Sequence, residues 1–485
     1  MFEDRDRLAD TPERELALEC LAAGIDASRP DRAVERHCSL DGETLHVREA
    51  TYDLSAYDEV LILGGGKAAD DLAAALVALL ADRVSGGVVV THEQTAEPDP
   101  VEVRLGEHPT PGEGSVAGAE AVLQRAREAG ERTLVLAAIT GGGSALLCAP
   151  APGLEVDDLQ AVTDGLLDAG AAIEEVNVVR RACSRIKGGG LAAAATPATV
   201  VGLLLSDVVG DDPAVIASGP TVPAPTDPDA ALEVLDRYEI DVPAVRSWLA
   251  DGADDEDAGD NDADAGGDDA DAGGDDENAG DEPEEPPESS EPAEPAEPAG
   301  RVENHVVGSN RDAVDAAREV AAGRDLDTCV LSTRIVGESR EAGRFHAAVA
   351  AEVLATGDPV EPPAVLLSGG ETTVRVTGDG TGGPNLEFTL AAGLDLPDGA
   401  VVAAVDTDGR DGATDAAGAI QGPVAVGGVD EVGDGDGAGT AHDDVRAARD
   451  ALARNDSYAY LDERGALLRT GATGTNVNDL RVLVV

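Results

Sequence analysis

Four short apolar runs in the first half of the chain each end in a glycine or polar turn. They are EVLILGG, GGVVVTHE, RTLVLAAITGGG and ATVVGLLLSDVVG, and alanine-rich stretches of helical period, such as DDLAAALVALLADR and SVAGAEAVLQRAREA, lie among them. Short β-branched runs alternating with amphipathic helices predict strands joined by helical crossovers, and therefore a parallel sheet covered on both faces. Ligands bind such a sheet beyond the carboxyl ends of its strands, which is where the glycines fall.

The second half repeats the alternation. HVVGSN, DTCVLSTRIVG, PAVLLSGGETTVRVTG and AVVAAVDTDG read as strands, with RDAVDAAREVAAG and SREAGRFHAAVAAEVLAT as helices. ETTVRVTGDGTGGPN reads as a hairpin, which makes this sheet mixed. Between the halves, Asp251 to Gly300 is almost entirely Asp, Glu, Gly, Ala and Pro, with 22 acidic residues and no Lys or Arg. Such a segment buries too little apolar surface to offset its ordering entropy. The expected organisation is α/β in two domains: a doubly wound, Rossmann-like parallel sheet over 1–249, a disordered acidic linker over 250–300, and an α/β domain with a mixed sheet over 301–485.

Positive charge is scarce and unevenly chosen. Of 34 Lys and Arg residues only Lys67 and Lys187 are lysines, against 97 Asp and Glu and a formal net charge of −63. Acidic residues outnumber basic ones more than twofold even outside the linker. Self-repulsion on that scale destabilises a compact chain in dilute buffer, and becomes tolerable when salt shortens the Debye length to about 3 Å near 1 M. The expected setting is a halophile's cytoplasm. Nucleic acid and anionic membranes require basic patches, so neither is expected as a partner. No run of about 18 apolar residues occurs, and the acidic start MFEDRDRLAD has no apolar core. Cys20, Cys38, Cys148, Cys183 and Cys329 show no paired spacing, which points to neither a disulfide framework nor a zinc cluster.

A lysine kept in such a chain is informative, and both stand at glycine turns, in LILGGGKAAD and SRIKGGGLA. In the first, Gly64, Gly65 and Gly66 let backbone N–H groups approach an anion, and Lys67 adds a point charge. The P-loop pattern GxxxxGK[ST] is absent. GxGxxA is present and Glu93 closes the following strand, so a dinucleotide-dependent dehydrogenase stands as a second reading. Thr140 to Ser144, TGGGS, repeats the design, with Gly142 and Gly143 in the turn and the Ser144 hydroxyl at a helix entrance. Arg180, Arg181, Arg185 and Lys187 fall within eight residues. They suit phosphates or carboxylates, or equally a helix face paired with acids.

SDVVGDDPAVIASGPT places Asp207 at a strand end and Asp211 and Asp212 just after it. Carboxylates there suit a magnesium ligand or a general base, and Asp211 and Asp212 fit helix caps equally well. Glu371, Asn385, Asp406 and Asp408 are turn residues after strands, and the spacing lacks the glutamate of an EF-hand. His108 and His346 read as structural.

In sequence order GGGKAA, TGGGSALL, IKGGGLA, SDVVGDDPAVIASGPTVP, GSNRDAV, SGGETTV, DTDGRDGATDAAGA, RNDSYAY and TGTNVNDLRVLVV resemble the glycerate 2-kinase family, whose C-terminal part is called the MOFRL domain. The resemblance implies ATP-dependent, Mg2+-dependent phosphorylation of D-glycerate at its 2-hydroxyl, in a cleft between two α/β domains, and is compatible with a homodimer. It places Lys67 near the transferred phosphate and matches Asp207 to the aspartate of the SDVVGDD motif. The expected catalytic residues are then Lys67, Asp207 and Lys187. The expected substrate and phosphate ligands are Gly65, Gly66, Gly142, Gly143, Ser144, Arg180, Asn385 and Asp408, and the expected metal ligands are Asp207 and Asp211. Two motifs depart from the family. GGPNLEF stands where GGRNQEF is usual, with Pro384 and Leu386 in place of Arg and Gln, and Ala182 replaces a His in RRACSRIKGG. A related 2-hydroxy acid as substrate, or recruitment of Arg181 or Arg410 to the substrate's carboxylate, is therefore an alternative. So is an NAD(P)H-dependent hydroxypyruvate reductase, a label that members of the family have also carried; a non-catalytic sensor is a third class.

Overall fold

The strand Glu59–Gly65 is apolar on both faces because helices cover it from both sides. The computed structural model describes residues 1–224, 227–257, 301–424 and 437–485; the expected acidic linker lies outside them from residue 258 onward. Six parallel strands form the first sheet, in the spatial order Val101–Leu105, Gly86–Thr91, Glu59–Gly65, Thr133–Ile139, Thr199–Leu205 and Val302–Gly308. The chain starts at the centre, runs outward to one edge, returns, and continues on the other side. The switch point therefore lies between Glu59–Gly65 and Thr133–Ile139, where a doubly wound sheet opens its crevice. Gly64 is required where these strands pair: at φ 154° a Cβ would be aimed at the next strand, 2.0 Å from the Ala138 carbonyl oxygen.

The second sheet is mixed, as expected. Asp327–Glu338 and Ala364–Thr373 run parallel, and Asp479–Val484, Val401–Asp406, Gly418–Gln421 and Leu467–Leu468 follow in antiparallel pairs. Its register brings Gly370 and Asp406 opposite Asp479 on either side, so three adjacent strands put acidic side chains at one end.

Sheet membership does not follow the boundaries 1–249 and 301–485. The strand Val302–Gly308 completes the first sheet from beyond the linker. Conversely, the N-terminal helix Pro12–Ala27 packs Leu16, Leu18, Leu21 and Ile25 on the second sheet, alongside the helix Asn310–Ala322. The chain therefore crosses between the two sheets after Pro12–Ala27 and again after Val302–Gly308, while the acidic stretch falls between two strands of the first sheet, Thr199–Leu205 and Val302–Gly308.

The hairpin expected over ETTVRVTGDGTGGPN is not formed. Ala364–Thr373 ends as a strand and residues 374–383 run as a loop whose backbone donors are met by side chains. Asn455 Oδ1 accepts from the N–H groups of Thr377 (2.8 Å) and Gly378 (2.9 Å), and Glu338 accepts from Arg375 (3.2 Å). With those donors satisfied there is no call for a partner strand. No helix among the described residues is long and apolar enough to cross a membrane.

Candidate active site

The carboxyl ends of the first sheet and the acidic end of the second enclose a cavity of about 370 Å³. Lys67, Gly142, Ser144, Arg180 and Asp207 line it from one side, and Glu371, Asp406, Asp408 and Asp479 from the other. This juxtaposition unites residues more than four hundred positions apart in sequence.

Lys67 reaches across the cavity, and its Nζ pairs with Asp408 Oδ2 at 3.1 Å. The turn that carries it is not the expected anion cradle. The N–H groups of Gly66, Lys67 and Ala68 are already donated to Val90 O (3.0 Å), Gly141 O (2.8 Å) and Thr140 Oγ1 (3.1 Å). Gly65 and Gly66 are there for packing: a Cβ on Gly66, at φ 144°, would lie 2.1 Å from Thr140 Oγ1, and one on Gly65 2.8 Å from Leu147. Anion binding at this turn rests on the Lys67 side chain alone. The same closure removes the N–H groups that a dinucleotide pyrophosphate needs, and Glu93 is exposed beyond the end of Gly86–Thr91.

The second glycine turn fits between charged side chains. A Cβ on Gly142 would meet Lys67 Cγ at 3.0 Å and the His108 ring at 3.1 Å, and the residue sits at φ 79°. Its N–H donates to Asp207 Oδ2 at 3.2 Å. Gly143 is covered by Ala217, 2.6 Å from where its Cβ would stand, and its N–H donates to Thr140 O, so it shapes the turn. Ser144 Oγ bonds Ser218 Oγ at 2.9 Å. Ala217 and Ser218 hold positive φ angles of 51° and 62°, a strained conformation that non-glycine residues adopt where a surrounding site imposes it.

Lys187 is buried beneath this turn. Its Nζ donates to the carbonyls of Ser144 (2.7 Å) and Leu147 (2.8 Å), and burial lowers its pKa to about 8. It braces the turn and is not among the residues lining the cavity of Lys67. Arg180 does line that cavity and has no acidic partner within 4.0 Å among the described residues, whereas Arg185 is taken up by Glu120. Burial lowers the pKa of Arg180 too.

Sequence reasoning did not collect the carboxylates into one group. Desolvation raises the pKa of Asp207, opposed by Lys67, and raises that of Asp406 well above the usual range, helped by Asp408 and Asp479. Glu371 keeps surface exposure, but desolvation at the cavity mouth, with Asp207 and Asp479, pushes it up to about 7. A carboxyl raised from about 4.5 to about 7 contributes stability that is complete below pH 4.5 and is lost as pH rises through 7. Glu371→Gln removes that loss. Its melting temperature is expected to exceed wild type at pH 8 and to match it at pH 4.5, with solvent screening holding the gain to about 1–2 °C; equal curves at both pH values would contradict the assignment.

Two expected ligands, Asn385 and Asp211, do not line this cavity, whereas Asp408 does. Asn385 is fully buried, its Nδ2 donating to Asp411 Oδ1 (3.2 Å) and Asp479 Oδ1 (2.6 Å), so it orients carboxylates from behind the cavity. Asp408 accepts from Lys67, and a carboxylate so placed orients the lysine while repelling phosphate. Asp211 lines an adjoining cavity of about 310 Å³ with Arg334, and Asp212 accepts from the Ala214 N–H as a turn cap. Asp207 thus lines the cavity of Lys67, and Asp211 the one adjoining it. Among the described residues no group of three or more His, Cys, Asp or Glu forms a ready metal cage. The Asp207 carboxylate nevertheless suits magnesium, which takes one or two carboxylates and fills its remaining positions with water and phosphate.

His108 was read as structural, yet it lines the cavity; burial, with Lys67 and His92, lowers its pKa to about 4, so it stands there as neutral imidazole. His346 is structural as expected, its Nε2 meeting Ser368 Oγ at 2.8 Å inside the second domain.

Comparison with known proteins agrees with this architecture. Residues 16–250 match a domain family described as DUF4147, a domain of unknown function, and residues 364–479 match the MOFRL family. A D-glycerate 2-kinase of Thermotoga maritima is 35% identical over 96% of this chain and 97% of its own. A putative hydroxypyruvate reductase of Agrobacterium vitis is 38% identical over 88% of this chain and 99% of its own. The crystal structure of a glycerate kinase from Thermotoga maritima superposes with a TM-score of 0.74 at 33% identity, covering 97% of this chain and 99% of that one.

Proposed function

Because the chain belongs to the glycerate 2-kinase family, we propose that it transfers the γ-phosphoryl group of ATP to the 2-hydroxyl of D-glycerate in the cavity between the two sheets. The observation that carries this reading is the facing of Lys67 and Arg180 against a set of carboxylates at the switch point of a doubly wound sheet. Phosphoryl transfer asks for that combination: cations for the phosphate oxygens and a carboxylate to orient and deprotonate the attacking alcohol. Asp207, held by the Gly142 N–H and beside Lys67, takes the hydroxyl proton as the new P–O bond forms and the bond to the β-phosphate oxygen breaks. Lys67 stabilises the charge on the transferring group. Asp207 is the residue that would hold magnesium, which would supply neutralisation of the phosphate charge.

The deciding test is ADP release in concentrated KCl with magnesium, with and without D-glycerate, and phosphorus NMR of the product. Glycerate-dependent ADP release yielding 2-phosphoglycerate supports the reading. NADH oxidation with hydroxypyruvate in the absence of ATP would overturn it. Wild-type turnover on another 2-hydroxy acid, with none on glycerate, would move the substrate and leave the reaction class in place.

A further inference from the structure

A second cavity, of about 330 Å³, opens beside the first, and His108, Gly142, Ser144 and Arg180 line both. Its chemistry differs from that of its neighbour. Pro109, Pro111, Leu159, Val162 and Leu167 form its walls, and Cys148 and Cys183 lie at its inner end. Leu167, on this cavity, is 50% exposed, as is Ile173 on the neighbouring one, so each cavity has one large apolar side chain uncovered on an otherwise strongly acidic molecule. An uncovered apolar slot next to an unpaired guanidinium suits a ligand with a flat hydrophobic head and an anionic tail.

We infer that this second cavity holds the purine of the nucleoside triphosphate, and that Arg180, at the junction, binds the phosphate chain on its way to Lys67. The inference rests on the kinase reading and adds the location of the donor's base. The apolar walls desolvate the two faces of a purine with aliphatic side chains, which is how a chain with only 2% aromatic residues builds such a slot. Burial makes the Arg180 charge costly, and no carboxylate within 4.0 Å among the described residues offsets it. A triphosphate offers that missing counter-charge. Lys187 itself lines this second cavity, and its bonds to Ser144 O and Leu147 O hold the wall common to both.

Leu167→Asp places a charge on the slot without opening a core cavity, because the side chain is half exposed. It is expected to raise KM for ATP about tenfold or more while leaving KM for glycerate and the melting temperature near wild type. Arg180→Gln should raise KM for ATP by a comparable factor and weaken ADP binding in a direct titration, a readout independent of turnover. Arg334→Ala, in the adjoining polar cavity, should leave KM for ATP unchanged. A rise in KM for glycerate in place of ATP with Leu167→Asp, or a rise in KM for ATP with Arg334→Ala alone, would overturn the inference. Absence of glycerate-dependent ADP release by wild type would instead defeat the kinase reading, and ADP titration of wild type and Leu167→Asp would still decide the location of the base.

Discussion

Replacing Lys67 by methionine is expected to lower kcat by about 10²–10³-fold, with the melting temperature changed by no more than about 2 °C. The two halves of this expectation come from different parts of the structure. The ion pair with Asp408 is partly exposed on both sides, at 24% and 20%, and pairs of that kind contribute about 0–1 kcal/mol to folding. Catalytically the other cation on this cavity, Arg180, is assigned to the phosphate chain and leaves the transferring group to Lys67. The N–H groups of its turn are bonded internally, and Asp207, Glu371, Asp406 and Asp479 crowd the same cavity with negative charge. A transferring phosphoryl group in those surroundings depends on the one ammonium that reaches it. Lys67→Arg separates charge from shape: the Lys67 stem lies against Gly142, so a guanidinium displaces the turn, and kcat should fall nearly as far. Coupled ADP-release kinetics on both variants check this, and a methionine variant keeping more than a tenth of wild-type turnover would refute the role given to Lys67.

The elements of the fold were readable because each strand of the first sheet announces itself by composition and a terminal turn. Their partners were not. The amphipathic pattern of Pro12–Ala27 says that Leu16, Leu18, Leu21 and Ile25 seek a core, and nothing local says that the core belongs to the distant sheet. The strand Val302–Gly308 has the same limitation, since its period is local while its pairing with Thr199–Leu205 spans the linker. The false hairpin arose because ETTVRV alternates like a strand. Asn455 and Glu338 supply the acceptors that remove its need for a partner, and they lie far along the sequence.

In the site, residue type proved more legible than role. Lysine scarcity singled out Lys67 and Lys187, but one projects into the cavity and the other braces carbonyls beneath it, a distinction set by the path of the turn at Ser144. The three glycines before Lys67 have a sequence compatible with anion binding. What decides otherwise is the approach of Glu59–Gly65 to Thr133–Ile139, close enough for Thr140 and Gly141 to take the N–H bonds. Glu371 reads as a turn residue after a strand, and the hydrogen-bonding tail Thr473–Asp479 suits binding and turn-making equally; only the antiparallel register sets Asp479 between Gly370 and Asp406.

Arg481, two residues past Asp479, leads to the other large effect. Its side chain is wholly buried, and Asp479 beside it is only 5% exposed. The guanidinium donates to Asp479 and to Thr372 Oγ1 (2.9 Å), and stands over the Phe388 ring at 5.0 Å. Burial lowers the pKa of Arg481, and the carboxylates of Asp479, Asp411 and Asp406 oppose that shift. Among the described residues its Nε and Nη1 have no hydrogen-bond partner, so charge compensation rather than complete hydrogen bonding accounts for its presence. Arg481→Met should therefore cost about 3–5 kcal/mol by stranding the buried Asp479 carboxylate. Arg481→Met combined with Asp479→Asn should recover much of that loss, because the uncompensated charge goes with its partner. Guanidinium denaturation of the two single variants and the double variant gives the coupling directly. Additive losses would mean that Arg481 acts by filling volume beside Phe388, whereas recovery in the double variant would identify it as the counter-ion that lets an acidic cavity persist on the edge of a hydrophobic sheet.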